Sequence, residues 1–250
     1  MKISVVTVCF NAEKTIEDTI RSVLNQDFGG IEHIVIDGAS TDGTKAVINK
    51  YESCIASSLS EPDEGIYDAM NKGIRLATGD VIGFLNADDI FADSGVLSRV
   101  ASAFQESPVQ ACYGDVVFVR DDPDKIVRHY RSSRFTPERL AYGWMPAHPA
   151  LYLKRELFQL YGGFKTDYRI AADYELVARL FWLHRISYRY LPEVLVKMRI
   201  GGVSTRGIKS NYILSKEIVR ACGENGIRTN LLKVALKYPL KLAELFRHSL

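Results

Sequence analysis

The chain has 250 residues, 47% of them hydrophobic, enough to bury a substantial core as one large domain or as one domain with an appendage. Its 32 basic and 30 acidic residues nearly cancel to a formal charge of +2, which excludes a nucleic-acid binder held by bulk electrostatics. Cys9, Cys54, Cys112 and Cys222 lie far apart, without the paired spacing that zinc or a redox dithiol requires, and read as reduced, mostly buried thiols.

Met1-Lys2-Ile3 runs straight into a strand-like segment, with no pattern of the secretory type. No window approaches the ~18 uninterrupted apolar residues of a membrane span. The expected location is the cytoplasm, with membrane contact limited to the surface.

Residues 3–10, Ile-Ser-Val-Val-Thr-Val-Cys-Phe, are too continuously apolar for a sheet with a wet face, so they belong at the centre of a largely parallel sheet. Asn11 offers a helix cap, and Ile16, Ile20, Val23 and Leu24 follow at helical spacing. The pattern repeats with a strand over residues 31–36, a polar turn from Asp37 to Gly43, and a helix marked by Val47, Ile48 and Tyr51. A third strand over residues 54–59 leads through Asp63-Glu64-Gly65 to a helix carrying Ile66, Met70, Ile74 and Ala77. This rhythm implies right-handed βαβ units and an open α/β sheet, in which ligands bind outside the carboxyl ends of the strands. Asp37 stands at such an end.

The fourth apolar run, residues 81–85, ends in Asn86-Ala87-Asp88-Asp89. A buried strand that delivers carboxylates to a sheet rim is suited to a hard divalent cation such as Mg²⁺ or Mn²⁺. Taken alone, the stretch also reads as a solvated turn with Asp88 or Asp89 capping the next helix, the one bearing Val96, Leu97, Val100 and Phe104. No glycine-rich phosphate loop follows the first strand, so neither a dinucleotide fold nor a P-loop fits, and a metal on Asp88 would supply the missing charge neutralisation.

Strands over residues 111–119 and 126–130 read as an antiparallel pair and mark a change to an acceptor-facing extension. Residues 131–149 are irregular and contain Phe135, Tyr142, Trp144, Met145 and His148; such aromatics stack on a substrate or pin the loop to the core. A strand at residues 150–153 and a helix at 155–161 precede Ala172-Asp173, where an acid opens an otherwise apolar helix. Asp173 is either a plain cap or a carboxylate held ionised for general-base work. Residues 186–200 give two strand candidates around Pro192, and residues 201–207 a loop from which Arg199, Arg206 and Lys209 either reach phosphates or stay surface charges.

With these residues assembled, the chain resembles the family 2 glycosyltransferases, inverting enzymes of the GT-A fold. The resemblance rests on five motifs in order: the strand through Thr7 to Phe10-Asn11, the turn Asp37-Gly38-Ala39-Ser40-Thr41-Asp42-Gly43-Thr44, the stretch from Asp63 through Tyr67, Asn71 and Gly73 to Gly79-Asp80, Asn86-Ala87-Asp88-Asp89, and Ala172-Asp173. It implies an α/β chain with an open, mostly parallel sheet flanked by helices. Residues 1–207 would form the catalytic domain, with a nucleotide-sugar half at 1–110 and an acceptor-facing half at 111–207, and residues 208–250 a helical, amphipathic extension. By position, Thr7, Phe10, Asn11, Asp37, Asp63, Asn86 and Ala87 would hold the nucleotide, Asp88 a Mn²⁺ or Mg²⁺ ion, and Asp173 would take the acceptor's proton. Trp144, His148, Arg199 and Arg206 would meet the acceptor or close the site.

The chain departs from the family pattern at Asn86, which replaces the first acid of the metal motif, and at Ala172, which replaces the acid before the base. It also has no histidine in Arg199-Ile200-Gly201-Gly202. The implied partners are a nucleotide-diphosphate sugar and a lipid-linked or saccharide acceptor in extracellular polysaccharide synthesis, with no nucleic acid; a homodimer stays open. In the tail, Lys233, Lys237 and Lys241 share one face, Leu231, Val234, Leu242, Leu245 and Phe246 the other, and Pro239 divides the helix. That pattern suits an anionic membrane on the inner face of the plasma membrane, or packing against the catalytic domain or a second subunit. Two other functions remain open at this point: a catalytically silent, membrane-associated scaffold of the same fold, and a sugar-nucleotide pyrophosphorylase.

Overall fold

The computed structural model describes residues 1–120, 122–200 and 207–236. Nine strands form one mixed sheet in the order β3-β2-β1-β4-β8-β6-β9-β5, with β7 added on β6. The strands are β1 (Ile3–Cys9), β2 (Ile31–Asp37), β3 (Ser57–Ser60), β4 (Val81–Phe84), β5 (Asp89–Phe91), β6 (Ala111–Val119), β7 (Ile126–Tyr130), β8 (Leu151–Lys154) and β9 (Tyr188–Arg199). The β3-β2-β1-β4 portion is parallel throughout. β8 enters antiparallel to both β4 and β6.

The helices are α1 (Ile16–Leu24), α2 (Thr44–Lys50), α3 (Ile66–Leu76), α4 (Val96–Glu106), α5 (Arg155–Tyr161), α6 (Ala172–Val177), α7 (Gly207–Glu224) and α8 (Leu231–Ala235). They cover both faces because β1 is buried along its whole length and has no wet side. Val6 and Val8 pack with Met70 of α3, whereas Ile3 and Val5 pack with Val96 and Leu97 of α4. α3 lies close against β1 because Gly73 has no side chain: a Cβ there would stand 2.3 Å from Val6 Cγ1.

From β1 the chain winds outward through β2 to β3, then returns to place β4 on the other side of β1. That reversal is a topological switch point, and it opens a crevice at the carboxyl ends of β1, β2 and β4.

Several expectations are corrected. Asn11 caps no helix; α1 starts after Thr15, and Asn11 has a left-handed φ of 51°. β3 begins at Ser57, because a 3₁₀ turn at Glu52–Cys54 separates α2 from the sheet edge. Asp89 caps no helix either, since it opens β5, pairs opposite Met198 of β9 and stands well before α4. The two strands expected around Pro192 are one continuous β9. Its register against β6 slips between Tyr113↔Tyr190 and Asp115↔Val194, and this bulge accommodates the proline, which has no N–H to donate.

β5, from the expected nucleotide half, pairs with β9 of the acceptor half, so the two halves interleave in one sheet. Of the C-terminal residues, Ile218, Ala221, Cys222, Ile227 and Val234 belong to the same core cluster as residues of α3 and α6. Val234 is buried while Leu231, Leu232 and Leu236 are exposed, so Leu231 and Val234, expected on one apolar face, differ in burial. Arg206, Lys237, Pro239, Lys241, Leu242, Leu245 and Phe246 lie outside the described residues. Among the described residues no helix is long and apolar enough to cross a membrane.

Candidate active site

Three strand ends meet at the crevice. After β1, Phe10 projects into solvent at 64% exposure, an aromatic surface at the mouth of the cleft. Asn11 locks the neighbouring turn: its N–H donates to Ser40 Oγ (2.8 Å), and its Oδ1 accepts from Thr41 N–H (2.9 Å). Ala39 also holds a left-handed φ of 59°, so both strand ends store backbone strain at the same edge.

Asp37 is buried, and its carboxylate accepts from Ser40 Oγ (2.5 Å) and Ser60 Oγ (2.7 Å). It braces the turn that faces the crevice. Burial and the neighbouring Asp37 push the Cys9 thiol up, so Cys9 is an inert packing residue. Thr7 is buried, with its hydroxyl 3.0 Å from His33 Nε2 beneath the site. The Asp63 carboxylate fills the space beside Gly38, where a Cβ would come within 2.3 Å of Oδ2, and Asp63 Oδ1 accepts from Gly65 N–H (2.9 Å).

After β4 the chain turns through Asn86 to Asp89. Asp89 N–H donates to Asn86 C=O (3.0 Å), Ala87 N–H donates to Val8 C=O (3.3 Å), and Thr19 Oγ1 donates to Asp89 C=O (2.8 Å). Asn86 Oδ1 and Asp89 Oδ2 are buried without a protein hydrogen-bond partner. Burial raises the Asp88 pKa, opposed by Arg199. Burial first, then the Asp88 charge, raises Asp89 well above the carboxylate range.

Arg199 ends β9 beside these acids. Its Nη2 holds Asp18 at 2.5 Å, while Nη1 is buried with no partner. The arginine expected on a mobile loop is therefore a fixed cation on the sheet, next to the strand end that carries Asp88.

Among the described residues, no three His, Cys, Asp or Glu side chains stand together as a ready-made metal site. The residues present still fit a hard divalent cation of the Mg²⁺ type, which binds through one or two protein carboxylates and completes its shell with phosphate oxygens and water. A desolvated Asp88 and the partnerless Asn86 carbonyl are the oxygen donors such a site needs.

Asp173 lies in the first turn of α6, partly exposed. Burial raises its pKa to about 6; the Tyr174 N–H (2.8 Å) and the Tyr67 hydroxyl (3.5 Å) work in the opposite direction. Such a carboxyl is ionised at neutral pH yet more basic than an ordinary aspartate, as a general base should be. π-helical turns at Ala178–Leu183 follow directly.

An aromatic chain joins Asp173 to the end of β4. Tyr67 stacks on Phe164 at 5.7 Å, Phe164 meets Phe84 edge-on at 5.2 Å, and Phe84 stacks on His148 at 5.4 Å. His148 is half-buried, but its Nε2 is sheltered and partnerless, and burial lowers its pKa to about 4. It is a neutral ring beside the cleft. Trp144 is half-buried on the segment leading to His148, its N–H donating to Arg139 C=O at 3.3 Å.

Tyr67 and Asn71, present in the third motif without an assigned role, help hold the segment that leads into Asp173. Tyr67 Oη donates to Ile170 C=O (2.5 Å), and Asn71 makes two bonds to the Phe164 backbone (2.8 and 2.9 Å). Their i, i+4 spacing on one face of α3 was an available signal. Buried Glu175 pairs with Arg179 (2.9 Å) and Lys165 (3.0 Å). Glu217 of α7 carried no signal in the sequence.

Comparison with known proteins places this geometry among its relatives. A family model described as Glycosyl transferase family 2 matches residues 4–166. A PGL/p-HBAD biosynthesis glycosyltransferase of Mycobacterium bovis is 30% identical over 222 residues, covering 87% of this chain and 82% of that protein. An uncharacterised glycosyltransferase of Mycobacterium tuberculosis is 36% identical over 180 residues, covering 71% and 68%. Among solved structures, S. aureus TarS 1–349 in complex with UDP-GlcNAc is similar with a TM-score of 0.70 at 19% identity, over 88% of this chain and 66% of that one. A mannosyltransferase from Pyrobaculum calidifontis in complex with GDP-Man and Mn²⁺ gives 0.65 at 22% identity, over 89% and 63%. The chain thus spans less than two thirds of the length of these two solved proteins, and the shared fold is the GT-A type.

Proposed function

Because the chain belongs to glycosyl transferase family 2, we propose that it moves one sugar, with inversion, from a nucleoside-diphosphate donor to a lipid-linked or saccharide acceptor in extracellular polysaccharide or glycolipid synthesis. The observation that carries this reading is Asp173, a base of raised affinity (about 6) joined through Tyr67, Phe164 and Phe84 to the strand end bearing Asp88. The base and the phosphate-handling groups thus belong to one packed unit.

In the mechanism, Phe10 offers a stacking surface to the nucleobase, and the turn fixed by Asn11 and Asp37 receives the ribose, with Asp63 beside it. Asp88, with Asn86, would hold a Mn²⁺ or Mg²⁺ ion, which when bound supplies Lewis-acid stabilisation of the departing diphosphate. Arg199 adds a fixed positive charge beside the same acids. Asp173 accepts the proton of the acceptor hydroxyl as its oxygen attacks the anomeric carbon and the diphosphate leaves from the opposite side, in a single displacement. The neutral His148 and the Trp144 segment border the path of the acceptor.

The mycobacterial relative is named for PGL/p-HBAD biosynthesis, and the exposed Leu231, Leu232 and Leu236 leave apolar surface where the chain runs into its basic tail. Both support an acceptor met at an anionic membrane, with the protein peripheral on the cytoplasmic face. The test is nucleotide release from a panel of UDP- and GDP-sugars with Mn²⁺ and polyprenyl-phosphate-linked or saccharide acceptors, offered in detergent and in phosphatidylglycerol vesicles. Acceptor-stimulated release, faster with vesicles, is expected. No release from any donor would instead favour the catalytically silent scaffold, to which Asn86 and Ala172 lend support.

A further inference from the structure

The segment leading into Asp173 is gripped from α7. Glu217 accepts three consecutive backbone N–H groups: Arg169 on Oε1 (2.8 Å), and Ile170 and Ala171 on Oε2 (2.9 Å each). One turn further along α7, Arg220 binds the Asp167 carboxylate. Glu224 then accepts from Lys165 Nζ (2.8 Å) and Tyr168 Oη (2.9 Å). Positions 217, 220 and 224 lie on one face of the helix. They hold almost every residue from 165 to 171.

Ile170 is the link that matters. The Ile170–Ala171 peptide is clamped from both sides: its C=O accepts from Tyr67 Oη (2.5 Å) on α3 and its N–H donates to Glu217 Oε2 (2.9 Å) on α7, while Glu217 also holds the Ile170 N–H. The same Tyr67 hydroxyl stands 3.5 Å from Asp173 Oδ1, and Ala171, whose N–H Glu217 also holds, is the residue before α6. The titratable groups facing Asp173 from the packed elements are the neutral Tyr67 hydroxyl on α3 and the Glu217 carboxylate on α7.

We infer that Glu217 is a positioning residue for the general base: through the Ile170 and Ala171 peptides and Tyr67 it sets where the Asp173 carboxylate stands. The inference rests on the reading of Asp173 as base. It assigns α7, beyond the residues matched by the family model, a part in the chemistry. Burial is the main cause of the raised Asp173 proton affinity, and the Glu217 charge adds to it in the same direction.

The test uses the full chain with Glu217→Gln, Glu217→Ala and Asp173→Asn, and the donor that supports wild-type turnover. Glu217→Gln keeps the side chain's shape and one acceptor oxygen but removes the charge. It is expected to lower kcat about 10-fold with donor KM within about 2-fold, and Glu217→Ala to lower kcat further, toward the ~100-fold that misplacement by about 1 Å costs. In both, the acid limb of the pH–rate profile moves to lower pH. Carbon-detected NMR of ¹³C-aspartate-labelled Glu217→Gln protein should show the same downward shift for the Asp173 carboxyl, and that readout needs no turnover. Unchanged kcat and an unchanged Asp173 titration in Glu217→Gln, with Asp173→Asn inactive, would overturn the positioning role alone. Full turnover in Asp173→Asn would remove the base reading, and this inference with it. If Glu217→Ala does not fold, Glu217→Gln and its NMR titration decide.

Discussion

Asparagine in place of Asp173 is expected to give a protein with no measurable transfer, nearly intact donor binding, and a higher melting temperature than the parent at neutral pH. The kinetic part follows from chemistry: an amide cannot take the acceptor's proton, and a positioned general base typically contributes ~10²–10⁴-fold. The stability part follows from linkage. Asp173 titrates at about 6 in the folded protein against an ordinary 3.8, so the folded state binds the extra proton more tightly than the unfolded chain. Stability is therefore lost as pH rises from about 4 to about 6, and above that range the ionised carboxylate is a standing penalty. Two pKa units would amount to ~2.7 kcal/mol, and partial exposure of the side chain reduces this to the order of 1–2 kcal/mol. Asparagine removes the penalty, which for a chain of this size corresponds to a rise of a few degrees, about 2–4 °C per kcal/mol. Calorimetric melting at pH 4 and pH 7.5 checks it, with nearly all of the gain at the higher pH. A variant as active as the parent, or less stable than it at pH 7.5, would remove Asp173 as the strained base.

Asp88→Ala should abolish the metal dependence of nucleotide binding. Asp88 is desolvated, which raises its pKa against its own backbone N–H and the charge of Arg199, and a bound dication would offset that desolvation. The adjacent Asp89 is more deeply buried, is raised well above the carboxylate range, and accepts the Arg199 backbone N–H. It is the poorer ligand and the better support. Titration calorimetry of UDP and GDP with and without Mn²⁺ should show metal-enhanced affinity in the wild type and in Asp89→Asn, and none in Asp88→Ala. Turnover in Asp88→Ala should fall by ~10²-fold or more, because stabilisation of the leaving diphosphate by a bound cation amounts to several kcal/mol. Metal enhancement that survives in Asp88→Ala would move the site elsewhere.

The parallel half of the sheet was legible because its strands are buried on both faces and read as unbroken apolar runs, each followed by a polar turn and an amphipathic helix. The Asn86 to Asp89 stretch was legible for a similar reason, since the apolar run of β4 stops abruptly in acids. β5 escaped notice because three residues, Asp89–Phe91, carry no periodicity, and their strand character comes from a partner more than a hundred residues away in β9. Pro192 read as a break because a sequence cannot show the bulge that absorbs it. Asn11 read as a cap because its side chain suits one; its actual partners, Ser40 and Thr41, come from the next βα turn. Glu217, Arg220 and Glu224, which drew no reading in the sequence, bind residues 165–171. Glu217 illustrates the limit best: an ordinary helical glutamate whose importance depends on three backbone N–H groups that only the folded chain brings to it.

The central claim is a single displacement driven by one base, and its stereochemistry tests it most directly. With the donor that supports turnover, proton NMR of the first-formed product should show the transferred sugar with the anomeric configuration opposite to that in the donor. A product that keeps the donor's configuration would contradict the role given to Asp173 and require a different mechanism.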